Sequence, residues 1–494
     1  MTEEKTGKRI WLVNQYAMPP RLESRLRTIK FAHYLQKAGY EVTIFASSIM
    51  HNMDIDLIED DSLYIERQYG DLNFVHIKTA KYKGNGLKRV IGLIQFPRRF
   101  LKIAEKFPAP DCIIQTATVP FGNIIYRYAR KVKVKYIVEV LDLWPETFVD
   151  LGILNKKNPI VPLLYKFEKW LYTKADQVVF SMEGGRDYII DKKWDTDHGG
   201  PIDLKKVFYI NNGVDLSDFN HFKEQFKLQD ASLEDKSVKK VIYLGSIRLA
   251  NNLKKLIDAA ALLKEHKDVV FFLYGDGDDR KELEKYCKEQ HIDNVVFKEK
   301  WIDPQYVPYV LSKATVNILN YMPGNFGKYG GSQSKMFQYM ASGRPICSNL
   351  KMMYCLINKY KLGIAREFDS SQEYAEAILK LLDLEPDEYN AICKRAREAA
   401  IEFDYKNFVT HKVEMARNKW TVYTYGERIK RKFKNGLWDT AEKVDLTYQM
   451  RNILEKYEIE YNKGQDILEQ IEELDEKAQN GICKEIKYLV KDIV

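Results

Sequence analysis

Along the first part of the chain, short runs of apolar and β-branched residues alternate with longer stretches in which apolar positions recur three and four residues apart. That alternation predicts a parallel sheet covered by helices. The early strands are Ile10–Asn14, Val42–Ala46, Cys112–Gln115 and Tyr136–Leu141, followed by Val178–Ser181 and Val207–Ile210. Leu26–Ala38 reads as the first helix and Gly39 as its stop. Phe222–Lys240 is polar and charged and interrupts the pattern as a linker would. A second series follows, with strands Val241–Leu244, Val269–Tyr274, Val295–Phe297, Val316–Leu319 and Pro345–Ser348 and helices such as Leu253–His266 and Arg280–His291. Two successive sheets imply two domains with a cleft between them. Such sheets take ligands beyond the carboxyl ends of their strands, so chemistry is expected where those ends face each other. Past Phe403, apolar positions recur at helical spacing over Leu446–Tyr461, Ile467–Leu474 and Ile482–Ile493, with Gly464 and Gly481 between them. This predicts three short helices, not one coiled coil. The expected division is 1–222, a linker at 223–240, 241–403, and a helical return and extension at 404–494.

Composition narrows the function. In 494 residues, Lys plus Arg is 78 against 70 for Asp plus Glu, a formal charge of +8 with 45% hydrophobic residues. This is ordinary globular usage, and the positive excess is too dilute to argue for a nucleic-acid partner. The six cysteines (Cys112, Cys287, Cys347, Cys355, Cys393, Cys483) form no CxxC pair, which fits reduced thiols. The histidines form no HExxH or HxH pair, so spacing gives no metal site. No segment reaches the ~18–20 uninterrupted apolar residues of a membrane span, and the start of the chain lacks a signal-peptide stretch. The expectation is a soluble cytoplasmic protein.

A nicotinamide enzyme on this scaffold needs a GxGxxG turn after its first strand. The loop Asn14–Arg25 contains no glycine, so a dinucleotide pyrophosphate has no close approach to that backbone. The chain also lacks a GxxxxGK[ST] loop. The most informative segment is Lys328–Pro345, in which Gly330-Gly331-Ser332 runs toward a helix beginning near Ser334, with Lys335 on its first turn. Unpaired amides at a helix start, beside a cation, suit a diphosphate. A plain glycine turn before a core helix is the alternative.

Gln338-Tyr-Met-Ala-Ser-Gly-Arg-Pro-Ile346 resembles the "E-Y/A-M-A-S/A-G-x-P-V" segment of the retaining glycosyltransferases of family four, which have the GT-B superfold. Ser332-Gln-Ser-Lys335 resembles the "S-P-x-K" of the branch that builds bacterial surface polysaccharides. Glu139-Val-Leu-Asp-Leu-Trp-Pro-Glu146 resembles that branch's "D-L-W-P-E", and Asn212-Gly-Val-Asp215 its "N-G-V-D" at the domain junction. Gly245–Ala260 and Tyr274-Gly-Asp-Gly277 follow the first and second strands of the family's C-terminal domain, so the match runs over roughly residues 8 to 405.

The resemblance implies two Rossmann-like α/β domains facing a cleft, here with a C-terminal helical extension. It implies a hexosyltransferase-type enzyme that moves a sugar with retention, without metal or other cofactor, from a nucleotide diphosphate to a lipid-linked or cell-surface glycan precursor. Loss of the diphosphate leaves two negative charges, which a metal-free site must meet with amides and cations. The donor-binding candidates are Gly245, Arg248, Gly275, Gly330, Gly331, Ser332, Ser334, Lys335 and Gln338. An ordinary surface salt bridge is the other reading of Arg248. The family's paired glutamates fall on Gly330 and Gln338, and its lysine after the first arginine lands near Asn251. Gln338 can still bond a ribose hydroxyl. Asp142, where many members carry histidine, is the catalytic candidate, to position or deprotonate the acceptor hydroxyl or to steady positive charge. Its alternative is a cap of the following turn. Glu146 and Arg25 are secondary candidates for the cleft.

Lys81–Phe107 interleaves cations with Leu87, Val90, Ile91, Leu93, Ile94, Phe96, Phe100 and Leu101. It suits an anionic membrane surface or, alternatively, a helix packed on the sheet with a solvated outer face. A second basic cluster spans Arg417–Lys434. The expected location is cytoplasmic, peripheral on the inner face of the plasma membrane, with the C-terminal helices either packing on the enzyme or mediating self-association. Two other functions fit the same scaffold: a non-catalytic partner subunit in glycan assembly, or a nucleotide-sugar epimerase.

Overall fold

Fourteen strands among the described residues form two sheets. The computed structural model describes residues 7–22, 27–50, 53–82, 87–117, 121–150, 152–322 and 327–408. Met1–Thr410 is one compact unit and His411–Val494 another. The expected C-terminal helices, the basic cluster at Arg417–Lys434 and the candidate Arg25 lie outside the described residues.

The first sheet holds β1 (Arg9–Val13), β2 (Glu41–Ser47), β3 (Tyr64–Tyr69), β4 (Leu72–Ile77), β5 (Cys112–Thr116), β6 (Lys135–Val140), β7 (Gln177–Phe180) and β8 (Val207–Tyr209). Their order is β3-β4-β2-β1-β5-β6-β7-β8, parallel throughout except for β3, which pairs antiparallel with β4. Ile10 sits opposite both Val42 and Cys112, which fixes the register at the centre. Helices cover both faces, so Ile10–Val13 are buried on either side. Trp11 and Val13 point to one layer, where Trp11 stacks on Tyr128 and meets Phe45 and Phe100.

The helices of this half are α1 (Arg27–Lys37), α2 (Leu87–Ala104), α3 (Gly122–Lys131), α4 (Glu146–Asp150), α5 (Ile160–Lys174) and α6 (Gly185–Asp191). The connections through α2, α3 and α5 run the same way along the sheet, and right-handed crossovers put all three on one face. There α2 touches α3 and α3 touches α5.

In the second half, α7 (Leu216–Gln225) and α8 (Ala231–Glu234) precede β9 (Lys239–Leu244). There follow α9 (Leu253–Leu262), β10 (Val269–Tyr274), α10 (Arg280–Glu289), β11 (Val295–Phe297), α11 (Val307–Ser312) and β12 (Val316–Leu319). The series closes with α12 (Ser334–Ser342), β13 (Ile346–Ser348), α13 (Leu356–Lys359), β14 (Gly363–Ala365), α14 (Ser371–Leu382) and α15 (Pro386–Glu402). The sheet order is β11-β10-β9-β12-β13-β14, all parallel.

Two differences from the sequence reading have physical causes. The stretch 223–240, expected as a linker, contains the end of α7, all of α8 and the start of β9. Part of its polar look is a helix cap: Asp230 accepts from the Ser232 amide. Val214 and Phe219 are buried with Phe337, Met340 and Phe403, so the chain joins the second half near residue 214. The chain crosses back at Asp404. Val214 N–H donates to Phe403 O (2.9 Å), Tyr405 N–H donates to Val214 O (3.0 Å), and Tyr405 meets Phe31 of α1 edge-on. The hairpin β3–β4 was also not expected. Among the described residues, no helix is long and apolar enough to cross a membrane.

Candidate active site

The carboxyl ends of β9 and β10 are built of backbone. Gly245 and Gly275 both have positive φ (149° and 126°). A Cβ on Gly275 would lie 1.9 Å from Gly245 O, so only glycine lets the two turns touch. A Cβ on Gly245 would lie 2.3 Å from Lys335 Nζ, so the lysine occupies the space that a side chain there would fill. Lys335 reaches this point from the first turn of α12, donates to Tyr243 Oη (3.1 Å) and lies 4.6 Å from the Tyr243 ring and 5.9 Å from the Tyr321 ring. Tyr243 Oη in turn donates to Ser246 O (2.6 Å). Among the described residues, Lys335 forms no ion pair, and burial of its ammonium lowers its pKa to about 8.

Ser334 begins α12, and no side chain caps the helix. Its end therefore keeps amides that a ligand oxygen can accept from. Gln338 is half-buried on the same face, one turn beyond Ser334. Gly330 has φ 80° and Gly331 follows it into the loop. Ser332 is held by the junction: its hydroxyl donates to Asn211 Oδ1 (2.7 Å) and accepts from Asn212 N–H (3.1 Å), while Asn212 Nδ2 donates to Ser332 O (2.6 Å). Arg27 continues this network into the first sheet. Its guanidinium donates to Ile210 O (2.7 Å), to Asn212 Oδ1 (3.3 Å) and to Glu139 Oε1 (3.1 Å), and the Arg27–Glu139 pair is fully buried. Glu139, part of the strand motif, thus sets the junction loop.

Arg248 is exposed just beyond β9 and, among the described residues, forms no ion pair, so the surface salt-bridge reading finds no partner. Asn251 is buried and its Oδ1 accepts from the Ser246 hydroxyl (3.0 Å). The site therefore has a neutral amide at the position compared with a lysine.

On the opposite wall, Asp142 is exposed just after β6. Burial, and then the negative charge of Asp142, raise the pKa of the Tyr321 hydroxyl. Asp142 and Tyr321 thus lie within electrostatic reach across the cleft, with Lys335 beyond the Tyr321 ring. Glu146 is turned away: it accepts from Tyr165 Oη (2.6 Å) and pairs with Lys192.

Sequence reading missed the tyrosines around Lys335 and a strap beside the glycine loop. Gly184 N–H donates to Tyr329 O (3.0 Å) and Tyr329 Oη donates to Asp191 (3.0 Å). Lys328 also pairs with Asp191, Tyr354 donates to Asp187, and Tyr188 meets Tyr329 edge-on at 5.2 Å. A Cβ on Gly184 would lie 2.8 Å from the Tyr329 backbone. Tyr243-Leu-Gly245 and Asn320-Tyr321 are strand ends, and that position was the available signal. Among the described residues, no group of three or more His, Cys, Asp or Glu could hold a metal ion.

The family models fall on the two halves just described. A model described as "Glycosyl transferase 4-like domain" matches residues 25–198, and one described as "Glycosyl transferases group 1" matches residues 224–399. The chain belongs to the GT-B glycosyltransferases. Solved structures similar to this GT-B chain include the α,α-trehalose 6-phosphate synthase of Burkholderia multivorans, with 13% identity and a TM-score of 0.63 over 83% of this chain and 98% of that one. A glycosyltransferase from Rickettsia africae has 15% identity and a TM-score of 0.57 over 84% and 98%. Anabaena HepE in complex with UDP and glucose has 15% identity and a TM-score of 0.55 over 83% and 100%. At these identities the likeness is one of fold. A third model, described as "Nuclease domain", matches residues 390–494, which lie mostly outside the described residues. No curated protein matches the chain.

Proposed function

We propose that the protein transfers a sugar, with retention and without a metal, from a nucleotide diphosphate to a lipid-linked or cell-surface glycan precursor. One observation carries this reading: the Lys335 ammonium lies over Gly245, at the uncapped start of α12, and among the described residues no carboxylate pairs with it. The amides at Ser334 and Lys335, with the Lys335 and Arg248 cations, would receive the diphosphate as the bond from the anomeric carbon to its oxygen breaks. Gln338 would hold the ribose. Asp142, on the facing wall, would hold the acceptor hydroxyl and take its proton as the hydroxyl oxygen bonds to the same face of the sugar. Cytoplasmic work at the inner face of a membrane, with residues 81–107 against anionic lipid, fits such an acceptor.

The Anabaena neighbour is complexed with UDP and glucose, which makes uridine diphosphate sugars the first donors to try. The test is release of nucleoside diphosphate across uridine and guanosine diphosphate sugars. The expected result is turnover of at least one donor, with Lys335→Met weakening its binding about 10- to 100-fold, the scale of a lost charge-assisted hydrogen bond of about 1.5–3 kcal/mol. Tight donor binding without turnover would instead support a non-catalytic partner. Conversion of the donor's sugar without any acceptor would support an epimerase.

A further inference from the structure

We propose that the outer layer formed by α2, α3 and α5 is one continuous docking face for an anionic lipid surface, extending the 81–107 segment across the whole helix layer. The proposal rests on the reading of a lipid-linked acceptor and deepens it. These three helices carry five, three and three Lys or Arg residues and a single acid, Glu168, which is fully buried beneath the layer. Of the cations, Arg130 and Lys131 are matched by Asp176 and Glu105. Lys88, Arg98, Lys102, Arg127 and Lys166 are exposed and, among the described residues, form no ion pair. Charge of one sign on one face is what an anionic bilayer complements, at about 1 kcal/mol for each Lys or Arg near the surface.

Apolar side chains stand among these charges. Val90 and Ile91 are 44% and 38% exposed near the start of α2, and Ile160 and Leu163 are 56% and 50% exposed at the start of α5. In a parallel sheet the crossover helix starts where its strand ends. Both pairs therefore stand at the carboxyl-end rim of the sheet, the end that holds Asp142. A bilayer taking up these four side chains, while the basic residues meet its headgroups, would present a lipid-anchored hydroxyl at the mouth of the cleft. Free solvation explains the cations alone. It gives no reason for four large apolar side chains gathered at the same rim.

The test is sedimentation of the full-length protein with vesicles of phosphatidylcholine alone or with phosphatidylglycerol added, at low and high salt. The expected result is binding only to the anionic vesicles, weakened by salt. Arg127→Glu with Lys166→Glu should lower partitioning at least tenfold, and Ile160→Ser with Leu163→Ser should lower it severalfold. Both double variants should release nucleoside diphosphate from the donor as the parent does. Donor turnover with no vesicle binding would overturn the docking face and leave the transferase standing. Vesicle binding unchanged in both double variants would overturn it as well. Capture by nucleic acid in preference to anionic vesicles would overturn it in favour of a different partner.

Discussion

Lys335 is a cation set between the rings of Tyr243 and Tyr321 and, among the described residues, without a carboxylate partner, and its titration follows from that setting. Burial lowers its pKa to about 8, so donor affinity should fall as pH rises through that value and the ammonium is lost. The sign for stability is opposite. The unfolded lysine, with its ordinary value near 10.5, holds its proton longer, so between these values the unfolded chain binds more protons and stability rises with pH. Without donor at pH 7, Lys335→Met should therefore melt above the parent, and the gap should narrow toward pH 10. Melting curves at several pH values check both statements. At this scale, Gly245 and Lys335 were legible in the sequence because a glycine turn and a lysine at a helix start belong to recognisable motifs. Tyr243 and Tyr321 were not, because an aromatic residue ending a strand has the same local pattern as any core residue. Only the fold brings β9 and β12 side by side around the lysine.

Among the elements, β6, α1 and the loop 210–212 are bound together by the buried Arg27–Glu139 pair. Removing one partner strands the other charge in the interior, which costs about 3–5 kcal/mol. Arg27→Met and Glu139→Leu should each destabilise on that scale. The double variant Arg27→Met/Glu139→Leu should recover much of the loss, and a denaturant-melt double-mutant cycle measures the coupling. Most strands of both sheets were legible because buried parallel strands are continuous apolar runs, as in Val269–Tyr274. The edge hairpin was not, because β3 reads Tyr-Ile-Glu-Arg-Gln-Tyr and leaves Glu66, Arg67 and Gln68 exposed. Glu139 belongs to a legible motif, yet its partner lies 112 residues away, a distance that no local pattern spans.

For the whole molecule, the strap from Lys328, Tyr329 and Tyr354 to α6 holds the glycine loop against the first sheet's half. Asp191 is the shared anchor. The hydrogen bond from Lys328, then that from Tyr329, hold its carboxyl below the usual range. A lowered value means that the anchor's contribution is present above the ordinary carboxylate pKa and is lost as pH falls through the folded one. Since exposed pairs are individually weak, at about 0.2–1 kcal/mol, Asp191→Ala should leave the melting temperature nearly unchanged. It should speed hydrogen exchange at the Gly184 amide and raise the donor dissociation constant about two- to tenfold, because the loop then has to be ordered by the donor itself.

The halves are also tied at Val214, which bonds on either side to the returning segment Phe403–Tyr405. A single tether would let one lobe swivel, twist and drift relative to the other. Two passes of backbone bonded side by side act like a door hung on a fixed pin: swing about one line is permitted, and sliding or corkscrew travel is not. A substrate arriving at either wall would then meet the opposite wall in one repeatable alignment.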